Sequence, residues 1–284
     1  MPELPEVETT RRGLIVSLEG TVITKVIKRR NKIRILIPDD FEKRIEGHMV
    51  LSIRRRAKYL QIFLSNGDVI ICHLGMSGKF VIRKINDGVN GQENNTEFDK
   101  HDHVIFETKN SEYVIYNDPR RFGVMTICAE TDLETHPLFK DMAVEPLGNE
   151  FNGDYLCDKL LNKNSPIKTV LLDQRIVVGL GNIYVCEALN IAKISPVKKA
   201  CALRVDEVER LVPIIRNVLN RAIEAGGSSL KDFAKVDGDL GYFQHQFVSY
   251  GRENKPCKND NCKGNIDRII QSGRSTFYCP ICQI

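Results

Sequence analysis

The period of the apolar positions changes twice along this chain. Val7, Leu14, Ile15 and Leu18 recur at helical spacing, which predicts a short helix over Glu6 to Leu18, entered through Pro5 and closed near Gly20. From Thr21 to Ile127 the pattern is one of short β-rich segments. Among them are Thr21–Ile27, Lys32–Ile37, Tyr59–Leu64, Asp68–Leu74, Lys79–Ile82, His103–Thr108 and Glu112–Asn117. Turn residues such as Asn66-Gly67 separate them. A run of strands behind one helix predicts a β-sandwich or barrel. The polar stretch Lys84 to Lys100, rich in Asn, Gly and Asp, reads as a flexible insertion between strands.

Thr131 to Gly153 carries Pro137, Pro146 and Gly148 and reads as a linker. Beyond it the chain turns helical. Asp154–Leu161 is one segment, and Ser165 as cap with Pro166 at the first helical position predicts a helix to about Leu172. Asn182–Leu189 is another segment. Val208, Leu211, Val212, Ile215 and Leu219 mark one face of a longer helix that ends at Gly226-Gly227, with a kink expected at Pro213. Gly226 to Tyr242 holds too much Gly, Ser, Asp and Lys for regular structure and is expected to be a mobile loop. The fold class is therefore α+β. The expected domains are an N-terminal β-sandwich with its helix (1–130), a linker (131–153), a helical domain (154–242) and a C-terminal finger (243–284).

Composition narrows the function classes. A chain of 284 residues with 42% hydrophobic content has room for more than one globular core. No apolar run approaches a membrane span, and charges at Glu3, Glu6 and Glu8 do not fit a signal peptide, so the cytoplasm is the expected compartment. The net charge of +4 decides nothing, but its distribution is uneven. Lys25, Lys28, Arg29, Arg30, Lys32 and Arg34 fall together, as do Arg54, Arg55, Arg56 and Lys58. These are either solvated strand faces or a stripe that faces phosphates. Cys72, Cys128, Cys157, Cys186 and Cys201 lie in apolar surroundings and are expected to be small buried thiols.

The remaining cysteines carry chemistry. Cys257, Cys262, Cys279 and Cys282 are spaced Cys-x4-Cys-x16-Cys-x2-Cys, two knuckles that can close a tetrahedral thiolate site around one structural Zn2+. The segment between them alternates like a hairpin with its turn at Ser272-Gly273 and Arg274 just after. So short a hairpin needs the metal for its folding energy. Gly179-Leu180-Gly181-Asn182 fails as a dinucleotide fingerprint, because Tyr184 stands where the third glycine belongs. It reads better as two tight turns that present Asn182 and a helix N-terminus to a phosphate. His73-Leu74-Gly75-Met76-Ser77-Gly78 and Asn117-Asp118-Pro119-Arg120-Arg121-Phe122-Gly123 are strand ends that set an apolar side chain beside a basic one. Met76 and Phe122 are either core residues or wedges that unstack a base. At the N-terminus, Pro2 is either helix punctuation or, once Met1 is removed, a secondary amine able to attack carbon near neutral pH. The small Pro2 favours that removal.

Taken together, Met1-Pro2-Glu3-Leu4-Pro5-Glu6-Val7-Glu8-Thr9, Arg55-Arg56-Ala57-Lys58-Tyr59-Leu60, the two strand-end motifs, Gly181-Asn182-Ile183-Tyr184 and the Cys-Pro-Ile-Cys-Gln ending at Gln283 resemble the formamidopyrimidine-DNA glycosylases over essentially the full length. The resemblance implies a base-excision-repair DNA glycosylase and AP lyase. It would extrude 8-oxoguanine or a ring-opened purine and cut the strand by β,δ-elimination. It further implies a helix-two-turns-helix domain, a zinc finger, damaged double-stranded DNA as partner, and action as a monomer. Pro2 would attack C1′, Glu3 would supply a proton, Glu6 would orient the site, and Lys58 and Arg274 would assist elimination. Met76, Arg120 and Phe122 would fill the gap left by the extruded base, with Arg120 reading the opposite cytosine. His73, His101, Lys163, Asn182 and Arg274 would hold phosphates. Ser228 and Tyr242 would belong to the loop over the everted base, and Lys168 and Asp173 would have supporting roles. One departure is Thr169-Val170, which stands where the family commonly has Pro-Trp.

Three alternatives use parts of the pattern. An oxidised-pyrimidine glycosylase of the same fold typically has glycine where Leu4 stands. A non-catalytic zinc-dependent nucleic-acid binder leaves Pro2 and Glu3 without purpose. An N-terminal-proline tautomerase has no use for a zinc hairpin.

Overall fold

The computed structural model describes residues 2–85, 98–228 and 241–284. The chain divides into two compact units, Met1–Phe139 with Gly226–Gly241, and Lys140–Ala225 with Tyr242–Ile284. The sequence expectations for the Lys84–Lys100 insertion and the Gly226–Tyr242 loop fall largely on residues outside those described.

In the first unit α1 (Leu4–Leu18) precedes β1 (Ile23–Lys28), α2 (Phe41–Ile45), β2 (Val50–Arg56), β3 (Tyr59–Leu64), β4 (Asp68–His73), β5 (Lys79–Lys84), β6 (Asp102–Thr108), β7 (Glu112–Asn117) and β8 (Val124–Ala129). Among the described residues these strands form two four-stranded antiparallel sheets, ordered β1-β6-β7-β5 and β2-β3-β4-β8. Ile53, Leu60, Ile62, Ile70, Cys72 and Met125 from one sheet share a core with Val26, Phe80, Val104, Phe106, Val114 and Tyr116 from the other. That shared core is what makes the unit a sandwich. Val7, Leu14 and Leu18 of α1 join it, with Ile15 packed against its margin. The helix starts where Pro5 is tolerated, within its first turn, and Glu3 is its cap.

The second unit contains α3 (Gly153–Leu160), α4 (Ile167–Leu171), α5 (Asn182–Ile191) and α6 (Val205–Glu224), then the hairpin β9 (Asp267–Gln271) and β10 (Arg274–Tyr278). Asn152 caps α3 by accepting from Tyr155 N–H at 2.9 Å. Helix α6 buries Val208, Leu211, Val212, Ile215, Val218 and Leu219 along one face and runs unbroken through the exposed Pro213. Arg216 leaves that helix to donate to the carbonyls of Gly148 (2.8 Å) and Phe151 (2.6 Å), which ties the entering chain to it. Among the described residues no helix is long and apolar enough to cross a membrane.

Three expectations are corrected. Lys32–Ile37 is not a strand but a tight loop, closed by a Lys32/Leu36 bridge and by Ile37 N–H to Asn31 C=O at 2.9 Å. Its alternating isoleucines imitate a strand, but Ile33 and Ile37 are buried while Ile35 is exposed. Pro166 occupies the cap of α4 rather than its first turn, and its backbone bridges Lys199. Cys201 is exposed, and Cys128 and Cys157 are half-buried, so only Cys72 and Cys186 of the scattered thiols lie in a core. Three elements escaped notice: α2, β2 and β8. The three arginines of β2 obscure its alternation, and α2 is too short to show a period.

Candidate functional site

The N-terminus of α1 is held by its own first residues. Pro2 is buried, and Glu3 and Glu6 are each only 2% exposed. Glu6 Oε2 accepts the Glu3 N–H at 2.8 Å in a capping box. Its other oxygen accepts both the N–H (2.8 Å) and the hydroxyl (2.9 Å) of Ser228. One carboxylate therefore joins the start of the chain to the segment that follows Gly226-Gly227. Gly227 has φ +78°, and a Cβ there would stand 3.1 Å from Glu6 Cγ, so the close approach requires glycine. A turn later, Glu8 binds Arg11 (2.8 Å) and Arg12 (3.0 Å), with Arg55 at 3.4 Å. Burial opposes its charge most strongly, but the hydrogen bonds from Arg11 and Arg12 and the field of Arg55 together hold the carboxyl below its ordinary range. Lys58 is 8% exposed and follows the β2–β3 reversal, where Ala57 takes φ +53°.

The two strand-end motifs are joined by a carboxylate that sequence reasoning did not single out. Asp118 is fully buried; one oxygen accepts the Ser77 hydroxyl at 2.6 Å and the other the Gly123 N–H at 2.8 Å. Ser77 Oγ in turn accepts the Arg120 N–H at 3.1 Å, and the Asp118 carbonyl holds His103 Nε2 at 2.8 Å. A Cβ on Gly75 would come within 2.4 Å of the Phe122 backbone, so the loops touch main chain to main chain. Their tips carry the half-buried Met76 and the exposed Arg120 and Phe122, the guanidinium lying 4.9 Å from the ring centre. Arg121, between them, takes φ +57°. His73 ends β4 below this pair. Its Nδ1 accepts the Gly75 N–H at 2.9 Å, and burial, then the positive charges of Lys58 and Arg34, lower its pKa to about 4. The ring is thus neutral near pH 7, with Nε2–H left as its donor. His101 is half-buried and its carbonyl accepts the Asp118 N–H at 3.0 Å.

In the second unit, Asn182 opens α5 after Gly181, which has no side chain to cap the helix. Asn182 Nδ2 donates to the carbonyl of Ser275 at 2.8 Å, directly after the exposed Arg274. Lys168, fully buried, donates to Thr276 Oγ1 at 2.6 Å and fixes the hairpin on α4. Asp173 is paired with Arg175 at 2.8 Å, and the exposed Lys163 sits on the α3–α4 connection. Tyr242 is 62% exposed.

The four Sγ atoms of Cys257, Cys262, Cys279 and Cys282 all lie within 4.8 Å of one another. The pairs 257/282 and 262/279 are 3.7 and 3.6 Å apart, close to the roughly 3.8 Å edge of a tetrahedron with Zn–S bonds of about 2.3 Å. Asn259 Nδ2 and Gly264 N–H point at Cys282 and Cys262 sulfur, at 3.2 and 3.4 Å, as expected around thiolates. The set fits one structural Zn2+. Its surroundings are built into α5. Gln283 Oε1 accepts from Asn190 and from Cys279 N–H, both at 2.7 Å. Buried Glu187 accepts the backbone N–H groups of Val248 (2.7 Å), Ser249 (2.9 Å) and Tyr250 (2.7 Å).

Residues 1–125 match the formamidopyrimidine-DNA glycosylase N-terminal domain, and residues 142–234 match the H2TH domain of the same enzymes. The formamidopyrimidine-DNA glycosylase of Roseobacter denitrificans is 51% identical over 285 residues, covering all of both chains. The chain belongs to the formamidopyrimidine-DNA glycosylase family. The Ruegeria pomeroyi glycosylase is 50% identical, again over the whole of both chains. Among solved structures, the Lactococcus lactis glycosylase in complex with DNA containing an abasic site superposes with a TM-score of 0.87 at 32% identity, covering 99% of each chain. The Thermus thermophilus protein gives 0.84 at 35% identity, covering 99% of this chain and 98% of its own.

Within this glycosylase, the first unit brings Pro2, Glu3, Glu6 and Ser228 together, and separately gathers His73, Met76, Arg120 and Phe122 about Asp118. The second unit brings Asn182 beside the strand that starts with Arg274. Among the described residues neither Lys163 nor Tyr242 makes a hydrogen bond to that pair. Asp118, Ser77 and Glu187 were missed as site-building residues. The one signal for Asp118 was an acid placed before proline at a strand end, inside a basic motif.

Proposed function

We propose that this glycosylase removes oxidised purines from DNA through Pro2 and then acts as an AP lyase on the same covalent intermediate. The carrying observation is the buried start of α1, where Pro2 precedes a carboxylate pair and Glu6 is bonded to both Glu3 and Ser228. The amine of Pro2 forms a bond to C1′ as the glycosidic bond breaks and the base leaves with a proton. Glu3 protonates O4′ as the sugar ring opens, and the product is an iminium. Proline nitrogen has no second hydrogen to lose, so the positive charge persists and acidifies C2′–H. Loss of that proton expels the 3′ phosphate, and a second elimination expels the 5′ phosphate. Water then hydrolyses the conjugated iminium and frees Pro2. Lys58 and Arg274 assist the eliminations.

The remaining assignments follow the same reading. Met76 and Phe122 fill the gap in the duplex and Arg120 reads the opposite cytosine. His73, through its neutral Nε2–H, His101, Lys163, Asn182 and Arg274 hold phosphates, and Ser228 and Tyr242 flank the everted base. Zn2+, held by Cys257, Cys262, Cys279 and Cys282, supplies folding energy to the hairpin and no chemistry. The sandwich is the catalytic domain, residues 154–242 the helical DNA-binding domain, and 243–284 the finger. The protein works as a monomer on the bacterial chromosome in the cytoplasm.

A second reading, excision of oxidised pyrimidines, is favoured by one observation: the L. lactis enzyme has been solved with DNA containing an oxidised pyrimidine. A competition between duplexes carrying 8-oxoguanine opposite cytosine and thymine glycol tests the choice. Preferential excision of 8-oxoguanine is expected. Preference for thymine glycol would reverse the assignment.

A further inference from the structure

By sequence the basic run at 25–34 is either a solvated face or a phosphate stripe, and local contacts divide it. Lys28 Nζ donates to the Pro38 carbonyl at 3.1 Å, and Arg29 donates to the carbonyls of Asp99 and Asp102. Both cations are occupied by the fold. Arg34, like Lys25, Arg30 and Lys32, has an exposed side chain with no hydrogen-bond or ion-pair partner among the described residues. It sits on the tight loop 31–37, which buried Ile33 and Ile37 hold to the core. Its backbone N–H donates to the Gly123 carbonyl at 3.3 Å, the residue next to Phe122. The loop is thereby fastened to the Asp118–Gly123 turn. Beyond Arg34 it exposes Ile35 (39%) and Leu36 (69%), so a cation and two aliphatic side chains share one tip.

The neighbourhood is electropositive. The charge of Arg34 reaches the Tyr59 hydroxyl, lowering it against the larger upward effect of burial, and it reaches His73 together with Lys58. Asp118, the acid whose charge acts on that ring, is fully buried and spent on Ser77 and Gly123. An unpaired guanidinium beside a neutral imidazole N–H donor is a combination suited to a diester phosphate. Ile35 and Leu36 offer apolar surface to the adjoining deoxyribose.

We propose that Arg34 forms a further DNA phosphate subsite on the 31–37 loop, next to His73 and continuous with the Phe122 turn. The inference rests on the DNA-glycosylase reading and extends its interface to a loop that the reading did not use. The subsite positions the strand and reads no base. Its loss therefore weakens binding to every duplex alike.

The test is the salt dependence of binding of the full-length protein to a duplex containing a stable abasic-site analogue. Each phosphate contact contributes about −0.9 to the slope of log K against log salt concentration. Arg34→Ala is expected to reduce the slope by about that amount, which corresponds to roughly eightfold weaker binding at 0.1 M salt. Arg34→Lys keeps the charge and is expected to keep the slope. Lys43→Ala, which removes an exposed cation on α2, is expected to leave it unchanged. An Arg34→Ala slope equal to wild type overturns the subsite. So does an equal fall in Lys43→Ala, which would mean a general field effect. If the wild-type protein itself shows no salt-dependent binding to the duplex, the glycosylase reading falls first and the subsite with it. A steep wild-type slope that Arg34→Ala does not change removes the subsite alone.

Discussion

Replacing Glu6 by glutamine tests the link between the chain's first residues and the Ser228 segment with almost no change of shape. The carboxylate accepts the Glu3 N–H on one oxygen and the Ser228 N–H and hydroxyl on the other, at 2.8, 2.8 and 2.9 Å. At 2% exposure, water cannot replace a lost partner. An amide turns one acceptor into a donor, so whichever way it faces, an N–H meets an N–H. Facing Ser228, the amide opposes its N–H but can donate to its hydroxyl; facing Glu3, it removes one of the two capping-box bonds of α1, so either orientation strands one buried N–H. A hydrogen bond to a charged group contributes about 1.5–3 kcal/mol, and a stranded buried N–H costs about 1–3 kcal/mol. Allowing for relaxation, about 2–4 kcal/mol is expected. If that appears as misplacement of Pro2 at the reacting carbon, the rate falls about 30- to 1,000-fold. Single-turnover excision from an 8-oxoguanine duplex measures it, with DNA saturating so that binding does not enter. Borohydride capture of a preformed abasic site should fall in parallel, because both steps need the same amine. A Glu6→Gln rate within threefold of wild type would refute the reasoning.

Other outcomes follow from the same structure. Asp118→Asn should loosen the two tip loops by removing one buried charge-assisted bond, lowering the ratio of excision opposite cytosine to excision opposite adenine about tenfold or more; an unchanged ratio contradicts that role. Cys279→Ser should abolish zinc content, measured by atomic absorption, and weaken DNA binding although the N-terminus is intact. Retained metal and retained affinity would sink the finger. Because His73 has a pKa of about 4, the native state binds fewer protons than the unfolded chain between pH 4 and 6.5. Its contribution to stability is therefore complete above pH 6.5 and is lost as pH falls through that window. Relative to His73→Asn, the wild type should lose about 2 kcal/mol in denaturant titrations between pH 7 and 5; an unchanged difference would place a charged imidazole in the native protein.

Much of the fold could be read from local pattern, because strands such as Tyr59–Leu64 and Glu112–Asn117 combine apolar runs with clear turn residues. The four-cysteine set was legible for a different reason: metal ligation needs four specific side chains at short spacing, and nothing else explains them. Loop 31–37 was misread because isoleucine at alternate positions describes a strand equally well, and only tertiary packing decides that Ile35 faces out. The polar framework was least legible. Ser77 and Asp118 are 41 residues apart, and Glu6 and Ser228 are 222 apart. No periodicity reports which acid will be buried, or which distant donors it will collect. Residue types announced the chemistry, while the groups that hold it in place emerged only with the fold.

The central claim is that Pro2 is the nucleophile, and sodium borohydride tests it most directly. Reduction during reaction with an 8-oxoguanine duplex should yield a covalent protein–DNA adduct, and peptide mass mapping should place the link at the nitrogen of Pro2. Pro2→Gly, which keeps an amine but loses the secondary nitrogen, should give far less adduct and far less strand cleavage. Absence of an adduct in the wild type, or an undiminished adduct and cleavage in Pro2→Gly, would contradict the account.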